Sequence, residues 1–310
     1  MKVYYQLEDF KLPKKNTITT GTFDGVHIGH RTIINQLNKL AAETGTESVL
    51  FTFWPHPRKV LFPDGDPIEL INTIDEKIKL LRDTGLQHLI IYPFSKEFSR
   101  LKAQDFVRNI LVDKLKLKEF VIGYDHQFGR NREGNVQQLR ELGSLHNFNI
   151  TQINAQTLDE VNISSTKIRN AVKQGNVALA NSYLNYNFQI TGKVVKGKQL
   201  GRTIGFPTAN LDLGLVDKIL PKNGVYSCLA VVNNQKLKGM LNIGLNPTVE
   251  NSSKIKIEVH LFDFNGNLYG QEIQLQVINR LRDEQKFEST DSLTLQLKKD
   301  KLLALQSFAK

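Results

Sequence analysis

Glycines, a carboxylate and two histidines share one short stretch, Thr19-Thr20-Gly21-Thr22-Phe23-Asp24-Gly25-Val26-His27-Ile28-Gly29-His30. Gly21, Gly25 and Gly29 let the backbone approach a ligand closely. A helix beginning near His30 would present unpaired N–H groups and the positive end of its dipole, and both favour phosphate. His27 and His30 can then donate to phosphate oxygens as negative charge moves onto a leaving pyrophosphate, which lowers the barrier electrostatically and needs no protein nucleophile. Taken alone, a His-x-x-His pair fits metal ligation or a structural role at a helix start equally well. The surrounding glycines favour phosphate.

Asn162-Ile163-Ser164-Ser165-Thr166-Lys167-Ile168-Arg169 sets three hydroxyls and two cations at the start of another expected helix. That suits a triphosphate, although Ser-Ser-Thr also opens many helices merely as a cap. In the second half of the chain, Gly197-Lys198-Gln199-Leu200-Gly201-Arg202-Thr203 superficially looks like a Walker A loop, but it is a residue short and has Arg202 where the lysine belongs. A P-loop opens a helix, whereas Phe206-Pro207-Thr208-Ala209-Asn210-Leu211 reads as extended chain, with Pro207 unfit for a helix interior. What remains is a glycine-rich loop entering a strand that bears Thr208 and Asn210 on one face. Two neutral oxygens there suit magnesium, which would draw its remaining coordination from water and ATP phosphates. Thr and Asn are equally common on ordinary turns and strand surfaces.

These groups need rigid elements to hold them. From Thr17 to about Leu184, short apolar runs alternate with amphipathic segments, the pattern of βα units closing a parallel sheet. Strands are expected at 17–20, 48–53, 88–92, 120–123 and 150–153. Ile33, Ile34, Leu37, Leu40 and Ala41 recur at helical spacing, as do Ile74, Ile78 and Leu81, and then Phe106, Ile110 and Leu111. Gly85 stands where a helix-terminating glycine belongs. The sum is a doubly wound, Rossmann-like α/β domain over residues 1–184, a fold that places ligands at the carboxyl ends of its strands. After about Asn185 the rhythm changes to period two, as in Ile255, Ile257, Val259 and Leu261, then Ile273, Leu275 and Val277. Turn signals at Asn223-Gly224, Asn233-Asn234 and Asn265-Gly266 predict a small antiparallel β-barrel over 185–310. Leu293, Leu297 and Leu302 to Leu305 predict a closing helix capped by Ser289, Thr290 or Asp291.

GTFDGVHIGH at 21–30 resembles the signature of the HIGH-containing nucleotidyltransferases in the form carried by prokaryotic FAD synthetases, and 163–169 resembles their ISSTxIR element. GRTIGFPTANL at 201–211 is similar to the GxPTAN signature of riboflavin kinases. NGVY at 223–226, EVHLFDF at 258–264 and LYG at 268–270 match further segments in order. The resemblance covers nearly the whole chain and implies a bifunctional riboflavin kinase and FMN adenylyltransferase. Its C-terminal module would phosphorylate riboflavin to FMN, and its N-terminal module would transfer AMP from ATP to FMN, giving FAD and pyrophosphate.

The resemblance further implies nucleotide contacts from Gly21, Thr22, Phe23, Asp24 and Gly25, catalytic and nucleotide contacts from His27 and His30, and phosphate contacts from Ser164, Ser165, Thr166 and Arg169. The segments Phe51–Arg58 and Gly123–Gly129, each following an expected strand, resemble family segments near the flavin and the nucleotide. They offer Phe53, Trp54, Pro55, His56 and Pro57 to the flavin and Asp125 to the nucleotide. Trp54 would pack on the isoalloxazine ring or merely beneath a loop, and Asp125 would hold adenosine or cap its own loop. In the kinase module the resemblance implies nucleotide contacts from Gly201, Arg202 and Gly205, magnesium coordination by Thr208 and Asn210, and a general-base role for Glu258 toward the riboflavin 5′-hydroxyl. Glu258 falls on the polar face of its strand, opposite Ile257 and Val259, and without the resemblance it reads as an ordinary solvated glutamate.

The 310 residues exceed what one core usually serves, in keeping with two modules. A formal charge of +10 favours anionic partners, with ATP and flavin phosphates, nucleic acid or an anionic membrane all compatible. The basic residues are scattered, however, as on a solvated surface. A nucleic-acid-binding descendant of this scaffold is the alternative from another class, but the chain lacks a KMSKS-like segment and aromatics interleaved on a basic strand face. No stretch approaches the roughly 20 apolar residues of a membrane span, and Cys228 is the only cysteine, read as a buried small hydrophobe. A cytoplasmic enzyme is expected, with no nucleic-acid or membrane partner and at most a weak homo-oligomer linking modules of neighbouring chains.

Overall fold

All five residues of Asn16–Thr20 (β2) are buried, although only Ile18 among them is apolar, so this strand has no solvent-facing side. That is the behaviour of a strand covered on both sides in a parallel α/β sheet. The computed structural model describes residues 1–11, 14–123, 128–130, 133–153, 163–197, 200–233, 235–245 and 255–309. By its internal contacts the chain divides into two compact units, one of residues 1–70 and 74–164, the other of residues 71–73 and 165–310.

The first unit is built on a six-stranded sheet in the order β1-β4-β3-β2-β5-β6. The strands are Lys2–Tyr4 (β1), β2, Glu47–Trp54 (β3), His88–Pro93 (β4), Leu117–Ile122 (β5) and Asn149–Gln152 (β6), and every pairing is parallel. All five expected strands are present. Gly123 and Ile153 lie just past theirs, and the short edge strand β1 is an addition. After β2 the chain runs to one side through β3 and β4, then crosses to the other through β5 and β6, so the end of β2 is the topological switch point where such folds bind ligands. Helix α1 (Ile28–Thr44) buries Ile34, Leu37 and Ala41 and stops at Gly45 in the left-handed region, φ 64°. Helices α2 (Pro57–Leu61) and α3 (Ile74–Arg82) follow β3, and Gly85 terminates the turn after α3 with φ 77°. Phe106, Ile110 and Leu111 are buried as their spacing predicts, but on a π-helix, Phe106–Val112.

The second unit contains a closed barrel in the order β10-β11-β8-β7-β12-β9, antiparallel throughout. Its strands are Phe188–Val195 (β7), Ala209–Asp212 (β8), Gly224–Val232 (β9), Gln235–Leu245 (β10), Ile255–Leu261 (β11) and Glu272–Arg282 (β12). Closure leaves no unpaired sheet edge. Two helices, Ser165–Lys173 and Val177–Leu184, belong to this unit. Asn181 fixes the second of them to the barrel by donating to the Val277 carbonyl at 2.9 Å and accepting from the Phe188 N–H at 2.7 Å. The closing helix, Thr290–Ser307, begins at Ser289, whose hydroxyl accepts from the Ser292 N–H at 3.1 Å in a capping box. Inside the barrel Cys228 is fully buried, and that burial pushes its thiol pKa upward, so it is an inert core residue.

Candidate active sites

The chain leaves β2 still paired for one residue, the Gly21 N–H donating to Phe51 O at 3.1 Å. A Cβ at Gly21 would stand 3.0 Å from the Phe23 ring, so a side chain there would press on that ring. Phe23, Gly25 and Val26 then take positive φ values of 48°, 95° and 38°. A β-branched residue in that region costs on the order of 1–3 kcal/mol, and complete burial of Val26 keeps it in place. The Thr22 carbonyl accepts twice, from Thr52 Oγ1 at 3.2 Å and from Lys77 Nζ at 2.7 Å.

His27 occupies the N-cap of α1 without a side-chain capping bond. Its ring stacks on that of His30, centroids 3.7 Å apart and 22° from parallel, and Phe23 packs on the other neighbour at 4.7 Å from His30. Burial, then the charges of His27 and Lys77, hold the His30 pKa well below the ordinary histidine value. His30 is therefore a neutral imidazole at pH 7. With a helix N-terminus aligned on the same loop, the arrangement offers N–H donors to an anion at the carboxyl end of β2. Asp24 is buried in this turn beside Lys77.

Lys77 is the residue that the sequence patterns pass over. It sits on α3, 3% exposed, with its ammonium 6.0 Å from the centre of the Trp54 ring. Of the residues offered to the flavin, Phe53 belongs to an aromatic cluster with Phe51, Phe94 and Phe98 at 5.4–5.8 Å. Trp54 and the exposed Pro55 stand at the end of β3. His56 Nδ1 accepts from the Arg58 N–H at 3.2 Å as the N-cap of α2, with Pro57 at its first position. Ser164 closes the first unit, while Ser165, Thr166 and Arg169 lie on the first helix of the second. Asp125 lies outside the described residues.

In the second unit the pairing of β8 with β11 sets Asn210 directly opposite Glu258, and residues opposite in an antiparallel pair share a face. Thr208 lies just before β8, and its Oγ1 is 3.5 Å from Glu258 Oε1. The Asn210 amide packs where a Cβ of Gly197 would stand, so glycine at 197 makes room for it. Gly201 and Arg202 fall on one helical turn, Leu200–Thr203, followed by Gly205 at φ 79°. At Gly201 a side chain would run into the Phe206 carbonyl. His260 donates from Nδ1 to the Pro207 carbonyl at 2.7 Å and so ties down the segment that carries Thr208. Burial is the main reason its pKa is lowered.

Thr208 and Glu258 line a cavity of about 290 Å³ whose apolar walls include Phe206, Met240, Phe287 and Leu297. The closing helix supplies Leu297 and is anchored by a buried ion pair, Arg282 Nη2 to Asp300 Oδ2 at 2.7 Å. Met240 comes from β10, Leu297 from the closing helix, Phe206 from the segment before β8 and Phe287 from the segment after β12, so residues far apart in sequence meet at this cavity.

A family model for FAD synthetase matches residues 9–167, and one for riboflavin kinase matches residues 184–308. The chain is 37% identical over 292 residues to the bifunctional riboflavin kinase/FMN adenylyltransferase of Escherichia coli K12, covering 94% of this chain and 92% of that one. It is 36% identical over 298 residues to the protein of that description from Bacillus subtilis, covering 95% and 93%. A crystal structure from Streptococcus pneumoniae, described as a macrolide-efflux protein, superposes with a TM-score of 0.86 at 31% identity over 98% of both chains. Among the described residues of this chain, no helix is long and apolar enough to cross a membrane. Two family matches in order, and relatives alike over nearly their full length, establish that the chain belongs to the bifunctional riboflavin kinase/FMN adenylyltransferase family.

Proposed function

We propose that the two activities of this family are divided along the chain, with residues 1–184 transferring AMP from ATP to FMN and residues 185–310 phosphorylating riboflavin. The observation that carries this reading is that each unit has a site of its own, a phosphate-type loop after β2 in one and an apolar cavity edged by Thr208 and Glu258 in the other.

In the first site an oxygen of the FMN phosphate attacks the α-phosphorus of ATP, a new P–O bond forms, and the bond to pyrophosphate breaks. The N–H groups at the start of α1 and the His27 and His30 imidazoles stabilise the charge that accumulates on the leaving group. The turn from Gly21 to Gly25 would bring the backbone to the phosphates, with Ser164 of the same unit as a further contact. Trp54 and its neighbours 53 and 55–57 would meet the flavin.

In the second site the riboflavin 5′-hydroxyl attacks the γ-phosphorus of ATP, releasing ADP, while Glu258 accepts the hydroxyl proton. Phosphoryl transfer rests mainly on positioning, so an ordinary carboxylate that takes the proton late suffices. His260 holds the Pro207–Thr208 segment against the cavity. Gly201, Arg202 and Gly205 would carry the nucleotide. Thr208 and Asn210 present hard, neutral oxygens and so fit magnesium, which when bound neutralises phosphate charge. Both steps use small molecules and require neither nucleic acid, membrane nor a stable oligomer, and they belong in the cytoplasm.

The test is chromatographic. Purified protein is incubated with riboflavin, ATP and magnesium, with a parallel reaction started from FMN. FAD from both starts is expected. FMN without FAD would refute the assignment of the first site, and neither product would refute both.

A further inference from the structure

An ammonium group buried to 3% exposure is costly unless something in its surroundings needs the charge. Lys77 meets this description. Ile74, Ile78 and Leu81 flank it on the same face of α3, where a methionine or leucine would pack at no electrostatic cost. Its one hydrogen bond among the described residues goes to the Thr22 carbonyl at 2.7 Å. The groups that face it are the Asp24 carboxylate from the loop after β2, His30 from α1 with His27 stacked upon it, and the Trp54 ring from the end of β3. A single neutral acceptor leaves most of the donor capacity of an ammonium unused.

We propose that Lys77 is a positioning residue for AMP transfer: it fixes the Thr22–Asp24 turn through the Thr22 carbonyl and sets a positive charge beside the Asp24 carboxylate and the stacked His27–His30 pair. The proposal rests on the assignment of the loop after β2 to the nucleotide. It also makes the site sensitive to alkali. Burial lowers the Lys77 pKa to about 8, against the opposing pull of Asp24. The charge is complete below that pH and disappears above it, so AMP transfer acquires an alkaline limb near pH 8, which the kinase step in the other unit lacks.

The test uses the full chain and two variants. Lys77→Met is expected to lower kcat for FAD formation from FMN by about 10- to 100-fold, the weight of a hydrogen bond to a charged group. FMN formation from riboflavin by the same preparation should be unchanged. Lys77→Arg, whose charge survives to high pH, should retain AMP transfer and lose the limb near pH 8. The third readout is the His30 imidazole pKa, followed by NMR and assigned with His30→Gln. It should rise in Lys77→Met, because a like charge has been removed while the burial and the His27 neighbour that also lower it remain.

A wild-type kcat in Lys77→Met, or an alkaline limb that persists in an active Lys77→Arg, would overturn the proposal. An unmoved His30 pKa in folded Lys77→Met would overturn it even if no FAD were ever formed. In that case the failure of the wild type to make FAD would count separately, against the assignment of the loop.

Discussion

On the proposed division of the sites, Glu258→Gln should separate the two activities with little disturbance to structure. Glu258 Oε1 lies 3.5 Å from Thr208 Oγ1 and 2.8 Å from the Lys256 ammonium, with side chains 21% and 33% exposed for Glu258 and Lys256. The amide keeps the shape of the carboxylate and can still meet Thr208, so what is lost is the proposed proton acceptor and one partly solvated ion pair. Such a pair contributes about 0.2–1 kcal/mol, which bounds the stability loss. Removing a general base costs about 10²–10⁴-fold in rate. Because the proton is taken late in a loose transition state, the lower end applies, about 10²-fold, or roughly 2.7 kcal/mol on the barrier. The assay compares initial rates of FMN formation from riboflavin and FAD formation from supplied FMN, both at saturating ATP, alongside a urea melt. A kinase rate within about threefold of wild type would refute Glu258 as the base. Loss of both activities in a folded variant would refute the separation of the sites.

The reciprocal variant, His27→Ala with His30→Ala, should reduce AMP transfer by at least about 10²-fold, the cost of removing transition-state donors, and leave FMN formation intact in the same assay. Asp300→Ala strands the Arg282 guanidinium, itself only 14% exposed, and should cost about 3–5 kcal/mol in the barrel transition by urea titration, with loss of kinase activity as the closing helix detaches. Acid should destabilise the first unit. His30 is neutral in the fold and its folded pKa lies well below the usual 6.5, so the unfolded chain takes up the proton first. Stability is thus complete above about pH 6.5 and falls by up to about 1.4 kcal/mol per pH unit below it, and His30→Gln should flatten that slope in urea melts at about pH 7 and about pH 5.5.

Strands β3 and β4 of the parallel sheet are legible because they are buried on both faces and appear as largely apolar runs, whereas β2 buries four polar residues around Ile18. The barrel is legible because Ile257, Val259 and Leu261 alternate with Lys256, Glu258 and His260. The three-residue β1 offers too little pattern, and the π-helix escapes because Phe106, Ile110 and Leu111 are as well placed on an α-helix. The signatures point to candidate reactive groups, but not to the groups that hold them. His260 counts as polar in an alternating strand, yet it is buried and donates to Pro207, so the side chain on the polar face points into the fold. Lys77 shows the same thing more clearly. Positions 74, 77, 78 and 81 follow the i, i+3, i+4, i+7 spacing of one helix face, and three of them are apolar. A lysine at the remaining position of that stripe must either reach solvent along its stem or be buried with its charge. Binary patterning records it as an imperfection in an otherwise good helix. The structure shows it buried beneath the Thr22 carbonyl, where removing the charge should alter the chemistry of His30 on another helix. A charged residue that breaks a well-formed apolar stripe is therefore a signal in its own right, because burying it is too costly to arise from packing alone.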